Sequence, residues 1–442
     1  MVYRLKSLSN MDNRIFLQRE WISLAIVFCL VVFGNRTSSA GVLALAAVFI
    51  SFCILKSDIS NAFCWALFLV PNIRMLDGIG ITFTVNAMMA LPLIVYFFRM
   101  GFRKLSAVAL LGSVSLCIME LFHDAALANL ENVVTIIGWS LNMFLAIIVT
   151  VDSRVNISKN DIFSALASGI IMSAVMYLSS GRTSILLFLE NLYRGARFSA
   201  FADDPNYYSL YICLTIACIL NVTGKSIYKF CITLLLVGIG LLTASKMCIL
   251  LMVFEFVLIF LQIFNNHKDN RDNKKFIVAL SIGLLSGLII LRDYVIVFAN
   301  NFIRRLGDLA GNSFDLDRIT SGRMTIVMEY LEILFNDFVC FFAGYGFNYH
   351  LFLDQSSRKG AHNTYLDLIL AWGIVGVIIF IIILYYWIKI FKKSRNIQKI
   401  EFIKRIPMIV LLINFLDLSC LSASMFPFVI AVVMIQCIPT RE

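Results

Sequence analysis

Residues 364–388 read TYLDLILAWGIVGVIIFIIILYYWI, with Asp367 as the single charge, and Lys389, Lys392, Lys393 and Arg395 follow at once. A helix needs about 20 predominantly apolar residues to cross a bilayer. This stretch therefore reads as a membrane span, and its basic tail marks the inner side. Outward from it the pattern repeats. Apolar runs fall at 22–34, 41–55, 60–71, 85–98, 105–122, 133–150, 162–178, 207–222, 227–243, 247–264, 276–291, 406–417 and 421–438. Several are short and must take in flanking residues. The run 60–71 has the length of a re-entrant segment. The stretch 406–438 reads as one tilted helix or as two short ones broken near Asp417 and Pro427.

Composition agrees with that reading. Of 442 residues, 60% are hydrophobic and only 14% are charged, where a soluble domain has roughly 25%. Mean hydropathy is +0.88. A soluble fold, a disordered chain, a coiled coil and a disulfide scaffold are excluded on these values. The fold expected is all-α: a polytopic integral membrane protein of about 12–14 transmembrane helices, forming a single transmembrane domain over 1–442. The basic N-terminus (Arg4, Lys6, Arg14, Arg19) precedes a first run that starts near Trp21 without a small-residue cleavage site, so it reads as a retained span.

The net charge of +10 follows from topology rather than from nucleic-acid binding. With the N-terminus inside, 24 of the 37 Lys and Arg residues fall in inner segments, and 7 of the other 13 sit in one long outer loop. Both termini are expected to be cytoplasmic. Two outer segments stand out, 179–206 and 292–362. Loops as long as the second are usually functional or disordered. It contains an amphipathic stretch, Gly322 to Asp337, with Met324, Val327, Met328, Leu331, Leu334 and Phe335 on one face, suited to a membrane surface. Nearly all of the eleven cysteines lie in apolar runs and read as small hydrophobes, with no metal cluster among them.

Ionisable residues gather on the outer side. His123, His350 and His362 fall there, with Arg182, Arg194, Arg197, Arg304, Arg305, Arg318, Arg323 and Arg358. For any one arginine the plain reading is a solvated loop residue. An anionic ligand is the sharper reading, favoured for Arg197 and Arg323 by their placement. Arg323 opens a helix behind Thr320-Ser321-Gly322, where a cation opposes the helix dipole unless an anion lies there too. Arg197 precedes Asp203-Asp204-Pro205-Asn206, in which Asp204 and Pro205 read as N-cap and first-turn proline of the next span. Asp315-Leu316-Asp317 is a weak match to a metal-binding D-x-D. Lys246 occupies a tight outer turn, where snorkelling is the plain explanation. His362-Asn363 abuts the outer start of the 364–388 span; the positive helix end disfavours imidazolium and leaves a ring able to accept a proton. Glu255 lies mid-span and reads as a structural pair or part of a proton path.

Taken in order, these residues resemble a known family. His362-Asn363-Thr364-Tyr365-Leu366 followed by Gly373-Ile374-Val375-Gly376 resembles the H-N-x-Y-L and G-x-x-G elements of the O-antigen polymerase (Wzy) and O-antigen ligase superfamily. Ser321-Gly322-Arg323 with Gly344-Tyr345-Gly346 resembles its S-G-R and G-x-G elements, and Arg197 with Pro205-Asn206 its R and P-N elements. Thr243-Ala244-Ser245-Lys246 resembles T-x-S-R, with Lys for the usual Arg. The resemblance covers roughly residues 194–391. It implies a C-type glycosyltransferase fold in the bacterial cytoplasmic (inner) membrane, with a periplasmic active site and no cofactor or metal. It also implies undecaprenyl-pyrophosphate-linked oligosaccharide and polysaccharide as substrates, and membrane lipids and a chain-length regulator protein as partners. His362 is then the catalytic base. Arg197, Arg323, Lys246, Arg318, Asn206 and Asn363 bind substrate, the cations at the pyrophosphate leaving group.

Two functions share that signature: a repeat-unit polymerase, and a ligase that moves finished glycan onto lipid A core. The loose match of the elements favours the polymerase, whose substrates vary. A lipid-linked sugar transporter is the alternative of another class. It would place charges along many spans and show inverted repeats, which this sequence does not.

Overall fold

The fold is given by a computed structural model, which describes residues 15–80, 84–101, 104–126, 133–181, 197–202, 204–223, 226–243, 245–265, 323–349, 361–397, 402–421, 423 and 425–438, and the single positions 278 and 282. All regular structure among these residues is helical. The protein is an all-α, polytopic membrane protein. Helices Phe16–Arg36 (α1), Val133–Val151 (α6), Lys159–Ser179 (α7) and Thr364–Ser394 (α13) are long and apolar enough to cross a bilayer by themselves. Of the run 276–291 only Val278 and Ile282 are described, and both are exposed.

The chain divides into two compact units. The first contains α1, Ala40–Lys56 (α2), Ile59–Leu69 (α3), Thr84–Met100 (α4), α7, Pro205–Cys218 (α8), Ser226–Leu242 (α9) and Lys246–Asn265 (α10). Its centre is α3, continued by a 3-10 turn at Val70–Asn72. All but one of the α3 residues are buried, which explains how so short an apolar run is accommodated. Trp65 meets Phe16 and Phe68 edge-on at centroid distances of 5.6 and 5.5 Å. On α7, a Cβ at Gly169 would lie 2.8 Å from the Phe68 carbonyl, so the two helices touch backbone to backbone. Asn72 Nδ2 donates to Gly169 O across the contact, at 3.0 Å.

Helix ends in this unit fall into two groups. At one end Arg19 pairs with Asp161 at 3.0 Å, Arg99 donates to Lys56 O, Arg154 donates to Met100 O, and Asn160 donates to Thr223 Oγ1. At the other, Asn35 donates to Met75 O, Arg74 N to Phe201 O, and Phe198 N to Leu242 O. The grouping follows the alternating order of spans, and the first group holds the basic residues assigned to the inner side.

The second unit contains Lys104–Ala126 (α5), α6, Arg323–Asn336 (α11), Phe338–Phe342 (α12), α13, Phe402–Asn414 (α14) and Phe426–Gln436 (α15). The 406–438 stretch is therefore two short helices, with Pro427 in the first turn of α15. Trp139, Phe347, Trp372 and Phe426 form the aromatic core around α6. At the far end of α6, Arg395 donates to the carbonyls of Val149, Thr150 and Asp152 and ties α13 to the last turn.

One irregularity shapes this unit. Within α13, Gly373 adopts φ 59°, ψ −177°, and breaks the helix. In a membrane interior the carbonyls freed by such a break need donors. They are supplied by Tyr345 N to Leu370 O (2.9 Å) and Gly346 N to Ala371 O (2.8 Å). The approach is close: a Cβ on Gly344 would lie 2.4 Å from Ala371 O, and one on Gly373 2.3 Å from Phe342 O.

Candidate functional site

In the first unit, the turn before α8 and the turn before α10 meet. Asp204 caps α8, its Oδ1 accepting from Asn206 N at 2.6 Å, with Pro205 in the first turn, so its side chain is engaged by the backbone. Arg197 Nη2 donates to Asn206 Oδ1 at 2.5 Å, and its Nε to Thr243 O at 3.2 Å. Ser245 Oγ donates to the same Asn206 oxygen at 3.3 Å, and Lys246 opens α10 directly after it. Thus Arg197, Asn206 and the Thr243–Lys246 turn form one cluster. Phe198 and Phe201 anchor it, packing edge-on to Tyr177 at 5.7 and 5.5 Å. Glu255 lies deeper on α10; its side chain is fully buried and its carboxylate oxygens have no hydrogen-bond partner among the described residues.

In the second unit, the segment 415–420 wraps the start of α13. Thr364 N donates to Phe415 O at 2.8 Å, Cys420 N donates to Thr364 Oγ1 at 3.0 Å, and Thr364 Oγ1 donates to Leu418 O. Asn363 is the N-cap, accepting from Tyr365 N and Leu366 N at 3.0 and 3.1 Å, while its Nδ2 donates to Leu416 O at 3.4 Å. The capping role therefore belongs to Asn363. His362 precedes the cap with a left-handed backbone (φ 51°), half-buried.

Arg323, the first residue of α11, pairs through Nη1 with the carboxylate of Asp417 and donates to Asp417 O at 3.3 Å. The anion expected at this helix start is, within the protein, the Asp417 carboxylate. Both partners stay partly exposed, at 23% and 20% of their side-chain area. One short segment thus carries Asp417 against Arg323 and Leu416 against Asn363.

Beneath His362 lies a node that sequence reasoning missed. Asp367, buried on α13, accepts from Tyr349 OH and, at 3.1 Å, from Ser419 Oγ. Tyr349 OH in turn accepts from Ala361 N at 2.8 Å, the residue before His362. The Tyr349 ring packs edge-on to Tyr330 of α11 at 5.5 Å. Burial, with the Asp367 carboxylate beside it, pushes the Tyr349 hydroxyl well above its ordinary pKa, so it stays a neutral donor. The same loop is held from α5. Glu120, fully buried, accepts from Trp372 Nε1 and, at 3.0 Å, from Phe347 N; His123 Nε2 donates to Ala343 O at 2.9 Å. His123 therefore serves the scaffold, joining α5 to the turn at Ala343. Asp337 caps α12 and accepts from Tyr345 OH; that hydrogen bond lowers the Asp337 pKa and raises the Tyr345 pKa to about 12.

Arg318, His350, Asp203, Asp315, Asp317 and the remaining outer arginines named above lie outside the described residues. The amphipathic stretch is the helix α11. Tyr330 and Leu334 are buried, while Met324, Met328 and Phe335 are exposed, continuing into Phe338 and Val339 of α12. Among the described residues no group of His, Cys, Asp and Glu is placed to hold a metal.

An all-helical multi-pass membrane protein with cations and a histidine at helix starts is the class these observations define. Residues 231–381 match the family model described as O-antigen ligase. The match is consistent with the O-antigen polymerase and ligase superfamily. No curated protein and no solved structure matches the chain.

Proposed function

We propose that the protein is a glycosyltransferase that polymerises surface-polysaccharide repeat units of O-antigen type, using a polyprenyl-pyrophosphate-linked donor at the outer face of the cytoplasmic membrane. The observation that carries this reading is the convergence of Arg323 and the His362-Asn363 turn on the segment 415–420. An arginine fork suits a phosphate-bearing leaving group. His362, next to a helix N-terminus, suits a base near neutral pH. The acceptor hydroxyl oxygen attacks the donor's anomeric carbon, its proton passes to His362, and the bond from that carbon to the pyrophosphate oxygen breaks. Arg323, oriented by Asp417 in the second unit, offsets the charge left on the polyprenyl pyrophosphate, and Arg197, oriented by Asn206 and Thr243 in the first, is assigned to substrate binding by the family resemblance. Lys246 supplies charge without the planar fork. In this reading the outer segments 179–206 and 292–362, which carry Arg197, Arg323 and His362, face the substrate side.

The description of the matching family favours a second reading, a ligase that transfers the finished glycan to lipid A core. One experiment separates them. The purified protein is reconstituted with lipid-pyrophosphate repeat units alone, without nucleotide sugar. A ladder of products supports the polymerase. Transfer only when lipid A core is added supports the ligase, and no transfer under either condition overturns both.

A further inference from the structure

Far along α13 from His362, the second unit holds a cavity of about 220 Å³ between α5, α6 and α13. Leu111, Gly112, Ile147, Ile382, Tyr386 and Trp387 contribute to its wall, which is almost wholly apolar. Leu111, Ile382 and Tyr386 are also exposed on the unit's surface, so the cavity opens sideways where lipid would lie. Its volume exceeds the roughly 150 Å³ of apolar cavities that stay dry and take up benzene. Hydrocarbon, not water, is its natural content.

The mouth is not purely apolar. Lys389 Nζ sits over the rings of Tyr385 and Tyr386, at 5.8 and 6.0 Å from their centroids, and Tyr386 is part of the wall. Lys392 and Lys393, three and four residues on, share the helix face of Lys389 and are likewise exposed. Arg395 is not part of this group, being turned onto the carbonyls of α6. An apolar slot beside three ammonium groups fits a ligand with an anionic head and a hydrocarbon tail. We propose that this cavity is a binding site for an anionic membrane phospholipid, one acyl chain entering between α5, α6 and α13 and the phosphate meeting Lys389, Lys392 and Lys393. The proposal concerns the opposite end of α13 from His362 and does not depend on the reaction assigned there. Clusters of basic residues beside spans are a recurrent means of holding anionic head groups, with about 1 kcal/mol, or roughly five-fold in affinity, per lysine.

The test uses the full-length protein in a mild detergent, stripped of retained lipid. It is titrated with dioleoyl phosphatidylglycerol or dioleoyl phosphatidylcholine, and bound lipid is read by native mass spectrometry. Phosphatidylglycerol should bind several-fold more tightly. Gly112→Leu should block the acyl slot; its Cβ would meet only Ile383, at an ordinary 3.4 Å, and Leu favours the helix, so the variant keeps its fold. Lys389→Gln should weaken phosphatidylglycerol roughly five-fold and leave phosphatidylcholine unchanged. Lys56→Gln is the control, since Lys56 also lies over an aromatic ring, that of Phe52, on α2 in the other unit. Equal binding of the two lipids by the wild type, or wild-type binding by either cavity variant, overturns the proposal. So does one-for-one displacement of phosphatidylglycerol by polyprenyl phosphate, which would give the cavity to the lipid-linked substrate.

Discussion

His362 holds φ 51°, a region in which Asn is also at ease, and the cap beside it is Asn363. His362→Asn should therefore fold and insert normally yet lose the base, with a rate loss of roughly 10²–10⁴ and little change in donor binding. Near-normal ladders from that variant would move the base elsewhere. Tyr349→Phe removes the acceptor of Ala361 N and the donor to Asp367 while keeping the ring against Tyr330. A buried unpaired group costs about 1–3 kcal/mol, so the His362 turn should lose its setting. Turnover is expected to fall roughly ten-fold or more with donor KM unchanged, and a fall carried by KM instead would refute the positioning role. Arg323→Ala and Arg197→Ala should each stop elongation at normal protein level, and Arg323→Lys should restore only part, because an ammonium lacks the bidentate edge. Normal elongation by both alanine variants would rule out the leaving-group clamp.

At the scale of elements, the break in α13 and the Gly344-Tyr345-Gly346 turn are one device. The broken helix offers carbonyls, the turn offers N–H groups, and both backbones approach too closely for a side chain. Gly373→Ala should cost at least the roughly 1–3 kcal/mol of an overpacked core, on top of its unfavourable φ. Thermal unfolding in detergent should show a lower midpoint, with loss of transfer activity. Gly238→Ala on α9, where an added Cβ meets nothing within 4 Å, is the comparison and should be neutral or slightly stabilising. Equal midpoints for the two variants would show that the glycine break is not required.

At the scale of the whole molecule, the order of spans and the Lys and Arg asymmetry lead us to expect 389–405 inside and the segments 179–206 and 292–362 outside. The pairing of helix ends within the first unit, with Lys56, Arg99, Arg154 and Asp161 at one end and Asn35, Arg74 and Phe198 at the other, supports that order. Cysteines introduced singly into a cysteine-free variant should react with an impermeant maleimide in intact cells when placed in the outer segments and not when placed in 389–405. Labelling of 389–405 from outside would invert the topology.

The sequence by itself determined the class. Runs such as 364–388 are too long and apolar for anything but a membrane, and Lys and Arg asymmetry is read along the chain without folding it. The Asp204-Pro205 start of α8 was equally legible, because capping is decided within four residues. Arg197, Arg323 and His362 stood out by residue type and placement alone. Only the tertiary structure decided what they touch. Asp417 looked like a break in an apolar stretch and proved to be the counter-ion of Arg323, 94 positions away. Glu120 and Asp367 sit in apolar runs with nothing local to mark them, and their partners come from distant segments. His123 looked like a loop histidine until the turn at Ala343 folded onto it. Periodicity and capping are short-range properties of the chain, whereas the pairing of a buried polar group depends on which backbone and side-chain atoms the packing of helices delivers to it.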